Sequence, residues 1–297
     1  MINAVASLYF SPAGEVAKIT KKISREVAGQ LEDICLGELE CNYSDMLGGM
    51  LEKRAAGKMN ESADSDAAGS TDEDPNCGCT FDRNTVVVMG MPSYYGRIPK
   101  PCKEMIGRIR GNGAFMIAVI TYGSSSYGSS LHDLYLSAEN AGFNVISAGA
   151  FVVQNAVFNN VDEDRPDAYD MQKIIEFSKL SASKIKRFSG TDINSMRVCP
   201  APLDIASIKN RKPLRIPVRP TTSALCIRCG ICVSACPVGA IDPRDPSKVD
   251  PRKCISCTAC IRACEQGAKR FSGPICSFSK VTLWMLCKKR KDPEWFI

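Results

Sequence analysis

Apolar and polar positions follow two rhythms along the first two thirds of the chain. Asn3 to Phe10 is a mostly apolar run, Ser11-Pro12-Ala13-Gly14 interrupts it, and Val16, Ile19, Ile23, Val27 and Leu31 then recur at steps of three and four. This pattern predicts a strand, a tight turn and an amphipathic helix over Glu15 to Leu31. Thr85 to Met91, Ala114 to Thr121 and Asn144 to Val153 are continuous apolar runs, the signature of strands buried on both faces. Helical spacing separates them at Pro99 to Arg110 and Ser130 to Ala141. Met171, Ile174, Ile175, Phe177 and Ile185 mark a last helix across Asp167 to Arg187.

Strand and helix thus alternate over residues 1–189, which predicts a doubly wound parallel α/β sheet. Such sheets bind ligands beyond the carboxyl ends of their strands. The turns to watch are Ser11 to Glu15, Pro92 to Arg97 and Tyr122 to Tyr127. Residues 42–83 break the rhythm and read as a mobile insertion. Between Glu61 and Asp82 they hold seven acidic residues and no basic one in a Ser/Gly/Ala-rich background, a composition too polar to bury a core. Cys77 and Cys79 fall here and are expected to be exposed thiols.

Residues 190–220, rich in Pro, Arg and Lys, read as a linker. An internal repeat follows in residues 221–275, and residues 276–297 are expected to form a C-terminal tail or helix. Cys226, Cys229, Cys232 and Cys236 return as Cys254, Cys257, Cys260 and Cys264, a period of 28 residues. These eight account for half of the 16 cysteines in the 297-residue chain; the other eight share no spacing.

Each unit is C-x2-C-x2-C-x3-C, the spacing of bacterial proteins with two 4Fe–4S clusters, in which the last cysteine of each run ligates the other cluster. One cluster is therefore expected on Cys226, Cys229, Cys232 and Cys264, the other on Cys254, Cys257, Cys260 and Cys236. Structural zinc favours separated C-x2-C pairs over runs of three, and disulfides belong to oxidising compartments. Met1 to Phe10 has no basic start and no cleavage site, so the expected location is the cytoplasm. The segment resembles the bacterial two-cluster ferredoxin domain over Thr221 to Gly273, with Glu265 where that family usually has the proline seen at Pro237.

Overall composition excludes a disordered or multi-span membrane protein: 44% of residues are hydrophobic and 24% charged. The one apolar stretch near the C-terminus, Val281 to Cys287, falls far short of the roughly 20 residues needed to cross a bilayer, so no stable membrane insertion is expected. Net charge is +6 and His132 is the single histidine; it reads as a surface or capping residue, and histidine-based catalysis is excluded as a general device. Eight basic residues face four acidic ones between Thr221 and Ile275, yet no aromatic interleaving accompanies them, so nucleic acid is not an expected partner.

The three strand-end turns resemble those of flavodoxins. Ser11 and Gly14 occupy the phosphate loop; Pro92, Tyr94, Tyr95 and Gly96 the loop that flanks the flavin ring; and Tyr122, Gly123, Ser124 and Tyr127 the third loop. Flavodoxins usually have Thr-Gly-Asn-Thr where this chain has Ala13-Gly14-Glu15-Val16, which sets a carboxylate where the phosphate would lie. With Gly90-Met91-Pro92, Asn144 to Phe151, Arg165-Pro166-Asp167 and the ending Arg290 to Phe296, the whole chain resembles a family that fuses a flavodoxin-like domain to a two-cluster ferredoxin. That resemblance implies an electron carrier with two 4Fe–4S clusters, FMN as a further cofactor, and redox proteins as partners. Two other readings stand beside it: a flavodoxin-like half that has lost FMN and docks a redox partner, and a flavin-dependent reductase of a small substrate.

Overall fold

The computed structural model describes residues 2–31, 34–37, 79–123, 126–188, 193–200, 218–287 and 289–297. Most of the expected insertion and linker, with Cys77 and Ser124, lies outside these residues.

A six-stranded sheet forms the larger unit. Its strands are β1 (Ala4–Tyr9), β2 (Cys35–Gly37), β4 (Thr85–Pro92), β6 (Phe115–Tyr122), β7 (Asn144–Val152) and β10 (Glu294–Phe296), in the order β10-β7-β6-β4-β1-β2. The five from β2 to β7 are parallel, with the strand order 2-1-3-4-5 of the flavodoxin-like fold. Four helices cover this sheet: α1 (Glu15–Gln30), α2 (Lys100–Gly107), α3 (Ser130–Asn140) and α4 (Ala168–Lys186).

Side chains of a strand alternate faces, and the core divides accordingly. Val87, Met89, Met116 and Ala118 pack with Cys102, Met105, Ile106, Leu131 and Leu134 of α2 and α3. Val86, Val88, Ile117 and Val119 pack on the other face with Ile19, Ile23, Ile174 and Phe177 of α1 and α4. Most of these side chains are fully buried, each Val, Leu, Ile, Met or Phe worth about 1.5–3 kcal/mol over an exposed position.

Two expectations change here. The helix predicted over Pro99 to Arg110 stops at Gly107, because Ile109–Arg110 (β5) pairs in parallel with Cys79–Thr80 (β3). Cys79 is therefore buried, and Phe81 after it joins the core, its ring tilted against that of Phe143 at a centroid distance of 5.7 Å. The end of the acidic segment is structural, and Cys79 is not an exposed thiol.

The smaller unit holds two four-residue helices, α5 (Ile231–Ser234) and α6 (Ala259–Arg262), and a short antiparallel pair, β8 (Pro220–Thr222) with β9 (Lys269–Phe271). The 28-residue repeat is repeated in the backbone. Left-handed φ occurs at Arg228 (57°) and Ser256 (55°), at Gly230 (80°) and Thr258 (68°), and at Gly239 (55°) and Gly267 (59°).

The tail then returns to the larger unit. Helix α7 (Pro274–Leu286) joins a seam of Phe158, Val161 and Val218 through Cys276, Leu283 and Cys287. Strand β10 pairs antiparallel with β7, and Arg290 donates to both oxygens of Asp167, at 2.6 and 3.2 Å. No described helix is long and apolar enough to cross a membrane.

Candidate functional site

The three predicted turns converge at the carboxyl ends of β1, β4 and β6. After β4, the chain reverses tightly: Tyr94 and Arg97 exchange backbone hydrogen bonds of 2.9 and 3.2 Å, with Tyr95 (φ 55°) and Gly96 (φ 77°) left-handed between them. After β6, Gly128 backs onto that turn. A Cβ on Gly128 would lie 2.6 Å from the Gly96 carbonyl oxygen, so only glycine permits this approach. Ser129 N–H donates to the same carbonyl at 2.8 Å, and the guanidinium of Arg97 forks onto Asp133 of α3 at 2.6 and 2.9 Å. Gly123 is equally constrained, since a Cβ there would lie 2.6 Å from Asn155 Cα.

Together the turns floor a cavity of about 910 Å³, within the range of small-molecule sites. Of the residues expected at these turns, Pro92, Tyr94, Tyr95, Gly96, Tyr122 and Gly123 line it. Ser11, Gly14 and Tyr127 are not among its lining residues, for a visible reason in each case. Ser11 Oγ accepts the Ala17 N–H at 3.0 Å and the Ser11 carbonyl accepts the Gly14 N–H at 3.1 Å, so both serve the start of α1. Tyr127 turns its hydroxyl to Glu294, donating at 2.6 Å, and packs edge-on to Tyr122. At the end beside the start of α1 the lining is Pro12, Ala13, Glu15 and Val16, with Glu15 bonded to Lys18 at 2.9 Å. His132 stacks on Tyr135 away from this lining, and its Nδ1 is buried without a partner.

The sequence did not foretell the roof. Val218, Ile255 and Ser256, together with Phe278, Ser279, Thr282 and Leu283 of α7, close the cavity from the cysteine-rich side. A seam that joins elements so distant in sequence leaves no periodic signal; only the apolar character of α7 hints at it.

Next to that roof lies a second, small cavity lined by Cys236, Cys254, Cys257 and Cys260 with Thr258. Burial pushes the Cys257 thiol up to about 12, with Cys260, Cys236 and Cys254 adding to it, and pushes Cys260 up to about 11. Cys232 is raised by burial in the first place, and by Cys226 and Cys264 among its neighbours. Cys264 is lowered, chiefly by the backbone N–H of Lys269 and also by those of Ala268 and Gln266. In the matching position of the other unit, Ala240 N–H donates to Cys236 Sγ at 3.2 Å. Among the described residues no three His, Cys, Asp or Glu side chains close on a single ion.

Ile255 and Ser256 line both cavities. Ile255 also packs against the core of the sheet, and Ser256 Oγ donates to the Val218 carbonyl at 2.6 Å. Tyr94 lines the first cavity, and its phenol is held well above the usual tyrosine range by burial first and by Cys257 next.

Residues 225–272 match the 4Fe-4S dicluster domain family. Among solved structures, the chain is similar to a flavodoxin from the domain Archaea, at 11% identity and a TM-score of 0.37, over 62% of this chain and 99% of that one. It is also similar to the apo form of an NADH:FMN oxidoreductase, at 17% identity and a TM-score of 0.38, over 66% and 94%. A WrbA-like flavodoxin from Agrobacterium tumefaciens aligns at 10% identity and a TM-score of 0.36, over 62% and 98%. No relative was found among curated proteins.

Proposed function

We propose that this chain, a flavodoxin-like domain joined to a 4Fe–4S dicluster domain, is an electron carrier that exchanges electrons internally between two clusters and FMN, and externally with redox proteins. When bound, the clusters supply one-electron chemistry and the flavin adds two-electron chemistry. One observation carries the reading: Ile255 and Ser256 form a wall common to the strand-end cavity and the small cavity with four cysteines.

The donor sets fit. Cys236, Cys254, Cys257 and Cys260 share one cavity, and Cys226 and Cys264 are among the neighbours that raise Cys232, which supports the crossed pairing. Cys229 is exposed and completes the first set by its spacing. Buried thiols resist ionisation unless a cation compensates, and iron would supply that charge. In the larger cavity, Tyr94 and Tyr95 would flank a flat ring, Gly123 would let backbone approach its edge, and the roof would exclude water.

A second reading keeps the clusters and drops the flavin. Glu15 favours it, because its carboxylate lines the end where an anion would sit. Anaerobic purification followed by iron, sulfide and flavin quantitation separates the two. About eight iron, eight sulfide and one FMN per chain is the expected result. The same iron without FMN, after incubation with excess flavin, supports the docking module instead. Fewer than about four iron, with zinc in their place, overturns the cluster assignment.

A further inference from the structure

The two halves of the cysteine repeat share a backbone, and one position at which they differ is enclosed beside the cysteines of the second half. Gly230 and Thr258 are counterparts 28 residues apart in the repeat, both left-handed, at φ 80° and 68°. Glycine adopts this conformation freely, whereas a β-branched side chain there is an outlier. Thr258 is also only 3% exposed, and its Oγ1 is buried with no hydrogen-bond partner. A lone buried hydroxyl is unfavourable. Two unfavourable features therefore coincide at one residue, at a place where its repeat partner has neither. Thr258 lines the small cavity together with Cys236, Cys254, Cys257 and Cys260.

We propose that the Thr258 hydroxyl donates its hydrogen to a sulfur of the cluster on these four cysteines, and that it makes this cluster the more easily reduced of the two. The inference rests on the two-cluster reading. A hydrogen bond to cluster sulfur stabilises the extra negative charge of the reduced state. Gly230 offers the other cluster no side-chain donor. The other site is also the outward one: Cys229 is exposed, and Leu225 and Ile227 beside it are 64% and 66% exposed. The Thr258 site shares its wall with the strand-end cavity. A higher potential at the inner site draws electrons from the exposed face toward that cavity.

Three variants test this in the full-length, cluster-loaded protein. Thr258→Val keeps the shape and removes the donor, Thr258→Ser keeps the donor, and Thr258→Gly restores the residue that the repeat uses at Gly230. The readout is an anaerobic potentiometric titration followed by electron paramagnetic resonance, with iron content measured alongside. At a fixed potential, Val and Gly should lower the reduced-to-oxidised ratio of one cluster about tenfold, or about 59 mV for a one-electron couple. Ser should leave it near the original value. The shifted cluster should be the one whose signal Cys257→Ser abolishes. Equal shifts in both clusters, or none, at an unchanged iron content would overturn the proposal. If the unsubstituted protein itself holds fewer than about eight iron, the two-cluster reading falls, and this inference with it.

Discussion

Tyr94 of the sheet unit and Cys257 of the cysteine-rich unit are electrostatic neighbours: after burial itself, the Cys257 thiol is the largest influence on the Tyr94 phenol. One residue lines the strand-end cavity and the other the small cavity behind it. A ring at Tyr94 would therefore serve both as a stacking surface and as part of the partition.

Replacement of Tyr94 separates these roles. Tyr94→Ala should weaken FMN binding about tenfold or more, since a lost aromatic contact costs on the order of 1–1.5 kcal/mol beyond its area. Tyr94→Phe keeps the ring and should change affinity little. Titration of the bound flavin's fluorescence measures both.

Glu15 should work against the phosphate. Glu15→Gln removes a negative charge from the first turn of α1, where the helix N-terminus favours an anion. FMN should bind about two- to fivefold more tightly, and riboflavin, which lacks the phosphate, should bind as before. An equal gain for both ligands would place the phosphate elsewhere. The lost bond to Lys18 is an exposed pair and should matter little to stability.

Stability of the larger unit should depend on Asp170. It is 1% exposed, forks with the buried Arg165, accepts from Arg290 at 3.2 Å and from the Asp167 N–H at 3.0 Å. Asp170→Asn leaves the Arg165 charge uncompensated, a change worth about 3–5 kcal/mol, and should lower the thermal unfolding midpoint by several degrees.

Docking of the tail should weaken in acid. Hydrogen bonds from Arg290, with the Asp170 N–H, hold the Asp167 carboxyl well below the usual carboxylate range. A depressed carboxyl stabilises the folded form above its unfolded value near 3.9 and loses that contribution as pH falls further. The pair is partly exposed, so the effect should stay within about 1 kcal/mol. Trp295 of β10, packed on Phe177, should report it by fluorescence below about pH 4, and Arg290→Gln should abolish the pH dependence.

Long apolar runs made four strands legible almost to the residue, because burial on both faces leaves no room for polar interruption. The cysteine spacing was legible for the same kind of reason, since ligand geometry constrains it directly. Short elements were not. Strands β2, β3 and β10 have two or three residues each, too few for any periodicity, and their pairing is decided by distant partners. The misplaced end of α2 and the buried Cys79 both follow from one such pairing. Of the residues expected at the strand-end turns, Ser11 is held by a local hydrogen bond at the start of α1 and Tyr127 by a hydrogen bond to Glu294, 167 residues away, and neither partner is revealed by composition. The shared wall of Ile255 and Ser256 arises from folding the two domains together and has no signature in either alone.

The most direct test of internal exchange is the protein-concentration dependence of flavin reduction. Cluster-loaded protein carrying FMN is mixed anaerobically with a reductant that acts through the exposed cluster face, and the loss of flavin absorbance is followed over a tenfold range of protein concentration. Transfer across the Ile255–Ser256 wall predicts one rate constant, independent of protein concentration and lost in Cys257→Ser. A rate that rises in proportion to protein concentration, or one that Cys257→Ser leaves unchanged, would contradict it.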